Sequence, residues 1–219
     1  MDVIYSFVTG PLVWISFAVL FLGLLVNLVR FFYLSQTKDP EVLRFYSLKY
    51  GLRSIVFWLI PYKARSWRKS PFLTSVSFVF HVCVLLVPIF LSAHVILLDF
   101  FWDINYWTLP DFLADILTLV VIFCLLLLTG RRLFRSDLRY LSTLQDWLTP
   151  ILVSLPFITG FLAYHQFFQY QLLVTIHVIT GEIFLMSIPF TRLSHMLYAP
   201  FLRAYIGSEF GGIRKTRDW

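Results

Sequence analysis

Two histidines lie near the ends of one apolar stretch, Gln169–Pro200, and their spacing suits a pair of metal ligands. His177 and His195 are 18 residues apart, which is five whole turns of an α-helix at 100° per residue. One helix would present both imidazoles from the same face, about 27 Å apart along its axis. That separation is close to the ~30 Å hydrocarbon thickness of a bilayer. The pattern predicts one nitrogen ligand near each leaflet, the arrangement that two stacked haem groups require.

The composition identifies the environment of these histidines. Of the 219 residues, 59% are apolar and 14% are charged, whereas a soluble domain has about 45–50% apolar and about 25% charged residues. The chain is therefore predicted to be an integral membrane protein with an all-α fold. Nearly all of it lies in or beside hydrophobic spans, so we expect a single domain over residues 1–219.

Five apolar runs are long enough to cross a bilayer as helices. They are Leu12–Tyr33, Phe72–Leu97, Phe112–Thr129, Leu148–Tyr164 and Leu172–Ser194. The mixed charged and apolar segment 35–70 is interpreted as one or two amphipathic helices on the membrane surface. Docking of a soluble partner is the alternative for this segment. Residues 201–219 are interpreted as a tail on the same side of the membrane as segment 35–70.

The distribution of basic residues indicates how the spans are oriented. Nine Lys and Arg residues fall in Arg30–Lys69, four in Arg131–Arg139 and five in Arg192–Arg217, which accounts for all 18. The positive-inside rule places these stretches in the cytoplasm, with the N-terminus outside and the C-terminus cytoplasmic. The net charge of +6 is thus spread along one membrane face. We therefore expect membrane lipid as a partner and no nucleic acid.

The remaining histidines extend the haem interpretation. If the second and fifth spans are antiparallel, His94 pairs with His177 toward the outside and His81 pairs with His195 toward the inside. Paired imidazoles on facing helices are a common way to hold haem in a bundle.

The spacing of His81 and His94 requires a change of helix geometry. These residues are 13 positions apart, which is about 220° around a regular helix. Pro88 lies between them and is predicted to bring both imidazoles into haem-facing directions. His165 lies near the outer end of the fourth span, and three interpretations stay open: an interfacial residue, a quinone-site group, or a haem ligand that replaces one of the four.

Charged side chains supply the other candidate site residues. Haem propionates need cationic or hydrogen-bonding partners, and the candidates near the inner haem are Arg131, Arg132, Arg135 and Arg192. Asp115 and Glu182 are the acids well inside the predicted spans. Carboxylates in such positions often belong to proton paths, so both are candidates for quinone or proton chemistry together with His165. A hydrogen-bonded structural acid is the alternative for each.

Three blocks of the chain resemble the cytochrome b (gamma) subunit of respiratory nitrate reductases. They also resemble its relatives in heterodisulfide-reductase-like and sulfite-reduction-linked membrane complexes. The blocks are Phe80-His81 with His94, then Leu126–Leu148, and Ile176–Pro200. The last block is the most specific, because it combines the 18-residue histidine spacing with the ending Pro-Phe-Thr-Arg-Leu-Ser-His.

The resemblance implies a five-helix bundle that holds two b haems, with axial ligands His81, His94, His177 and His195. It implies electron transfer between menaquinone or another quinone and a cytoplasmic iron–sulfur subunit, in the cytoplasmic membrane of a prokaryote. The resemblance also implies a further partner, either an outer-face cytochrome or another membrane subunit. The 13-residue spacing, Glu182, and an outer loop without basic residues favour the relatives with a heterodisulfide-reductase-like partner over a nitrate reductase.

Two other classes of function compete with the electron-transfer interpretation. A membrane transporter could use the histidines and carboxylates as a proton relay without haem. A structural membrane anchor could descend from a cytochrome and lack haem. Two histidine pairs at opposite depths favour the electron-transfer subunit of a quinone-linked oxidoreductase complex over both.

Overall fold

The structure, a computed structural model, describes residues 2–218. Met1 and Trp219 lie outside the described residues. The predicted domain 1–219 includes both of them, and the predicted tail 201–219 includes Trp219. Within residues 2–218, all regular elements are helices. The α-helices are α1 Asp2–Phe7, α2 Val13–Lys38, α3 Pro40–Arg44, α4 Leu48–Leu59, α5 Arg65–Lys69, α6 Pro71–Phe90, α7 Ser92–Trp102, α8 Asp111–Phe134, α9 Ser136–Tyr140, α10 Leu144–Tyr164, α11 Tyr170–Ser187 and α12 His195–Gly207.

Five helices in the described part of the chain are long and apolar enough to cross a membrane. They are Val3–Lys38, Pro71–Phe90, Asp111–Phe134, Leu144–Tyr164 and Tyr170–Phe190. The first of them joins α1 and α2 through the π-helical turn Val8–Leu12. The prediction of an all-α, multi-pass membrane fold with five spans is confirmed, and the orientation of the termini stays a prediction.

Backbone contacts divide the chain into two compact units. The first contains the described residues of Met1–Thr74 and Glu182–Trp219, and the second is Ser75–Gly181. The prediction of one domain over residues 1–219 stays a prediction.

In the first unit, α4 packs closely against α12. Ser54 of α4 is fully buried, and a Cβ placed on Gly207 would lie only 2.3 Å from the Cβ of Ser54. The predicted surface segment 35–70 contains three helices, α3, α4 and α5, rather than one or two. Its first residues belong to α2, which continues to Lys38 because apolar residues and good helix formers extend beyond the span.

The tail predicted for residues 201–219 begins with helical structure. α12 continues through it to Gly207, and a π-helical turn follows at Ser208–Ile213. The Tyr205 hydroxyl donates a hydrogen bond to the Asp39 carboxylate. Burial and this hydrogen bond raise the pKa of Tyr205 to about 12.

The second predicted span is wrong at its C-terminal end. α6 ends at Phe90, Leu91 is extended (φ −67°, ψ 129°), and a separate helix α7 begins at Ser92. Pro88 lies in the last turn of α6 and removes one main-chain donor from it. His81 and His94 therefore lie on different helices, so the angle of about 220° between them does not apply.

The prediction of one continuous helix from His177 to His195 is also wrong. α11 ends at Ser187, a 3-10 turn covers Ile188–Phe190, and Thr191 is extended (φ −118°, ψ −177°). Pro189 has no amide hydrogen and disfavours a helical residue before it. His195 is the first residue of α12, and the separation of about 27 Å expected for one straight helix no longer follows.

Candidate functional site

Main-chain carbonyls at the end of α6 accept hydrogen bonds from the segment between α7 and α8. The Tyr106 hydroxyl donates to the oxygen of Ile89 at 2.6 Å, and the amide of Leu109 donates to the oxygen of Phe90 at 2.8 Å. A helix end inside an apolar medium needs such donors, because unpaired carbonyls there are costly. The segment after α7 thereby caps α6 and fixes the position of the break.

The same break orients His94. His94 Nδ1 lies 2.8 Å from the oxygen of Pro88. A carbonyl oxygen can only accept a hydrogen bond, so Nδ1 carries the proton and Nε2 of the neutral ring keeps its lone pair. This is the tautomer of a histidine that ligates a metal through Nε2.

His177 is held in the same way by α10. Its Nδ1 lies 3.0 Å from the oxygen of Pro156, and the Thr159 hydroxyl is 3.3 Å from the same nitrogen. Gly160 makes room for the ring: a Cβ at this position would lie 2.8 Å from Cε1 and 3.0 Å from Nδ1 of His177. The imidazole therefore lies directly against the α10 backbone.

His94 and His177 form a pair within the second unit. Their ring centroids are 6.2 Å apart and their planes differ by 11°. An imidazole nitrogen binds iron at about 2 Å and the ring centre lies about 1 Å further, so two axial ligands have centroids roughly 6 Å apart. The spacing is that of two axial ligands of one iron, and the role of these two histidines at a haem stays a prediction.

His81 and His195 share this tautomer, each on its own stretch of chain. Nδ1 of His81 lies 2.6 Å from the oxygen of Ser77, and Nδ1 of His195 lies 2.7 Å from the oxygen of Arg192. Both side chains are exposed. They belong to different units, and their pairing at an inner haem stays a prediction.

His165 is arranged differently from these four histidines. Its Nε2 lies 3.1 Å from Oδ2 of Asp115, and its ring lies against Phe161 at a centroid distance of 4.5 Å. In the other four histidines Nδ1 contacts a main-chain carbonyl, whereas in His165 the contact is made by Nε2 with a carboxylate. The structure thus brings together two residues that the sequence indicated separately as quinone or proton candidates.

A small cleft lies beside this contact between His165 and Asp115 and extends toward the histidine pair. Asp115 and Tyr164 line it, as do Gly160 beside the His177 ring and Leu91 at the turn before His94. Its volume of about 50 Å³ exceeds the ~10–15 Å³ that one water needs but is well below the ~150 Å³ cavity that takes up benzene. The cleft can hold water, and a quinone ring is too large for it.

Glu182 is the most isolated of the predicted site residues. It is 4% exposed, and neither carboxylate oxygen has a hydrogen-bond partner within residues 2–218. An uncompensated buried carboxylate is costly, so a proton or a bound water would stabilise this side chain.

Two of the four arginines predicted for haem propionates hold carboxylates of the chain. Arg132 lies 3.1 Å from Asp146, and this buried aspartate also accepts hydrogen bonds from the amide and hydroxyl of Thr143 at 2.9 and 2.8 Å. Arg135 binds both oxygens of Asp137, and its hydrogen bonds lower the pKa of that carboxyl.

These contacts give Arg132 and Arg135 partners within the chain, and their role at haem propionates stays a prediction. Arg132 closes the N-terminus of α10, where Thr143 and Asp146 form a capping box. The two other candidates, Arg131 and Arg192, have exposed side chains, and their role stays a prediction.

The histidine pattern gave no indication of three residues that position the site. Gly160, Tyr106 and Asn27, whose side-chain amide donates to the oxygen of Pro189 at 2.7 Å, act through contacts between helices. A polar residue inside the first span was the available signal for Asn27. A glycine in an apolar span is common, so Gly160 had no distinctive signal.

Within residues 2–218, no group of three or more His, Cys, Asp or Glu side chains is arranged to hold a metal ion. A haem iron with two axial histidines needs two protein ligands.

The fold and the paired histidines define a multi-pass membrane protein with a candidate cofactor site. A protein of Nitratidesulfovibrio vulgaris (strain Hildenborough), called only "Protein", is 35% identical over 210 residues, which is 94% of this chain and 93% of the relative. The chain belongs to the same family as this protein. No protein-family profile matches the chain. No solved structure matches it.

Proposed function

We propose that the protein is a di-haem cytochrome b, an electron-transfer subunit of a quinone-linked membrane redox complex. The observation that carries this proposal is the His94–His177 pair. Its rings are nearly parallel with centroids 6.2 Å apart, and each Nδ1 is held by a main-chain carbonyl. A haem bound between them would supply one-electron transfer within the membrane.

The contribution of the chain at this site is orientation. The carbonyls of Pro88 and Pro156 hold the two rings in one tautomer. Pro88 lies in the last turn of α6, and Pro156 lies inside α10. Hydrogen bonds of this kind fix ring orientation and raise the basicity of the ligating nitrogen.

The second haem of the proposal is held by His81 and His195. Supporting it are the resemblance of Ile176–Pro200 to the nitrate reductase gamma family and the shared Nδ1–carbonyl hydrogen bonds. Arg131 and Arg192 are the remaining cations proposed for its propionates.

Quinone chemistry needs proton acceptors as well as an electron acceptor. Oxidation of a quinol releases two protons along with its two electrons, and the Asp115–His165 pair beside a water-sized cleft is suited to accept a proton. We propose that menaquinone or another quinone reacts next to this cleft, at the face predicted to be outside. Glu182 is proposed as a second protonatable group.

The same proposal includes the partners and the membrane. Electrons pass between the quinone and a cytoplasmic iron–sulfur subunit of the heterodisulfide-reductase-like kind, in the cytoplasmic membrane of a prokaryote. An outer-face cytochrome or another membrane subunit is the second partner. These assignments rest on the resemblance and on the positive-inside pattern.

The proposal is tested by purifying the chain in mild detergent. A dithionite-reduced minus oxidised spectrum and a haem-per-chain assay should give two b haems. His94→Ala and His177→Ala should each remove one haem, whereas His165→Ala is the matched control and should keep both. A folded wild-type protein without haem would contradict the proposal.

A proton-relay transporter without haem is the second candidate function. It is favoured by the buried Glu182, whose carboxylate oxygens have no partner in the described chain, and by the Asp115–His165 pair. In that case the purified protein is colourless, and liposomes that contain it acidify in response to a pH gradient. Glu182→Gln should abolish this proton flux if the protein is a proton transporter.

A further inference from the structure

One face of α4 is closed by contacts within its own unit. Ser54 is fully buried, and a Cβ at Gly51 would lie 3.1 Å from the main-chain oxygen of Ala204 in α12. Gly207 of α12 approaches Ser54 so closely that a Cβ there would collide with it. This face is therefore unavailable to any other partner.

The other face of α4 exposes four large aliphatic side chains. Leu48, Leu52, Val56 and Leu59 are 63%, 52%, 53% and 67% exposed. Their spacing of four, four and three residues places them within an arc of about 80°. We name them the apolar stripe. Burial of such a continuous apolar surface in an apolar environment is favourable, so the stripe marks an interaction surface.

A group of exposed cations follows the apolar stripe directly. Lys63, Arg65, Arg68 and Lys69 are all exposed, and the chain has no Asp or Glu from residue 42 to residue 98. We name these four residues the basic cluster. Because this stretch of the sequence carries no acids, the cluster attracts anions from outside the chain.

The position of the basic cluster is set by contacts with the start of the second span. Trp58 of α4 packs edge-on against Trp67 of α5 at a centroid distance of 5.7 Å. The Thr74 hydroxyl of α6 donates to the oxygen of Trp67 at 2.9 Å. The cluster therefore lies beside the first turn of α6, a helix long and apolar enough to cross a membrane.

We propose that α4 and α5 form a binding surface for anionic phospholipids. The apolar stripe inserts into the boundary between headgroups and acyl chains, and the basic cluster binds the headgroup phosphates. Three observations favour a bilayer over a soluble protein as the occupant. The segment is attached at both ends to helices able to span a membrane, at Lys38 and Pro71. The sequence has no acids from residue 42 to residue 98, and lysine and arginine lie beside exposed aliphatic residues. Interfaces with soluble proteins are depleted in lysine. The inference does not depend on haem.

Lipid retention tests the basic cluster. The full chain is purified, exchanged into an equal mixture of phosphatidylglycerol and phosphatidylcholine in detergent, and its bound lipids are counted by native mass spectrometry. Arg65→Gln with Lys69→Gln should lower the preference for phosphatidylglycerol roughly 25-fold at most, since each cation near an anionic surface strengthens binding about fivefold. Lys215→Gln with Arg217→Gln, two exposed cations of the tail, is the matched control and should retain the wild-type preference. Equal retention in the test and control variants would overturn the proposed headgroup site.

Spin labelling tests the apolar stripe separately. In a background with Cys83→Ala and Cys124→Ala, a nitroxide is attached at Leu52→Cys or at Lys215→Cys, and the chain is placed in phosphatidylglycerol nanodiscs. The label on α4 should collide mainly with oxygen, which partitions into lipid, and the tail label with a water-soluble nickel chelate. If the α4 label is as accessible to nickel as the tail label, the stripe faces water in the isolated chain, and the lipid assignment is overturned in favour of a soluble protein partner.

Discussion

At the scale of single residues, main-chain carbonyls decide what the histidines can do. His94 and His177 each have Nδ1 on the carbonyl oxygen of a proline, Pro88 and Pro156. The Pro88 carbonyl lies in the last turn of α6, where carbonyls have no partner within the helix, and the Pro156 carbonyl lies in α10, against which the His177 ring packs. Nε2 of each neutral ring thereby keeps its lone pair. His165, whose Nε2 contacts Asp115, lacks this arrangement and is not expected to ligate iron.

Gly160→Ala tests the close contact between α10 and His177. The added methyl group would lie 2.8 Å from Cε1 of the ring, so the imidazole must move, at a cost of about 1–3 kcal/mol. We expect one haem per chain instead of two. Gly181→Ala in α11 is the matched control, because a Cβ there has nothing within 4 Å. Two haems in Gly160→Ala would show that the ring can shift without losing its ligand role.

Asp146→Asn tests the structural role of the ion pair between Asp146 and Arg132. Asp146 is buried and pairs with Arg132 at 3.1 Å, so loss of its charge should lower the free energy of unfolding by about 2 kcal/mol. Haem content should remain unchanged, as judged by the same assay. The control Asp137→Asn removes an exposed ion pair with Arg135 and should alter the thermal midpoint little, because water screens that pair. Loss of one haem in Asp146→Asn would instead support a role of Arg132 at the haem.

At the scale of helices, two interruptions determine where the histidines lie. The break after α6 is closed by Tyr106 and by the amide of Leu109, and the break after α11 is held by Asn27 of α2. Each interruption frees carbonyls in an apolar medium, and each is stabilised by donors from another part of the chain. Helix ends of this kind orient a ligand more rigidly than a regular span does.

Gly23→Ala tests whether the turn before His195 depends on its packing against α2. A Cβ at Gly23 would lie 2.6 Å from the Cβ of Pro189, and the rigid proline ring cannot rotate away. We expect the free energy of unfolding to fall by about 1–3 kcal/mol and the spectrum of the inner haem to change. Gly10→Ala in the same span is the control, since nothing lies within 4 Å of that position. An unchanged thermal midpoint and spectrum would mean that the turn holds its shape without α2.

At the scale of the whole molecule, charge asymmetry is the main source of orientation. The five spans separate three basic stretches from segments that carry acids, such as Asp99 and Asp103. The cost of moving lysine and arginine across the membrane makes this arrangement directional. The electron and proton directions of the proposed function depend on it.

Reporter fusions test the orientation. A green fluorescent protein at the C-terminus should fluoresce, and alkaline phosphatase at the same position should be inactive, because the C-terminus is expected in the cytoplasm. Phosphatase fused after Trp102, in the acidic outer segment, should be active. The reverse pattern would invert the proposed faces and place the Asp115–His165 pair on the cytoplasmic side.

The sequence by itself determined the class of fold, because long apolar runs must form helices when water is absent. Five spans were predicted and five are present. The candidate ligands were also indicated by residue type and depth alone. The local course of the helices was not, because Pro88 and Pro189 signal an irregularity but not its form.

Tertiary structure decided the geometry of the site. The break at Leu91, the turn at Ile188–Phe190 and the ion pair of Arg132 with Asp146 depend on partners in other segments of the chain. A side chain such as Tyr106 or Asn27 becomes a carbonyl donor only when another helix end lies within hydrogen-bond distance. Residue type and spacing can therefore indicate which side chains bind a cofactor, while the direction of each nitrogen depends on contacts between helices.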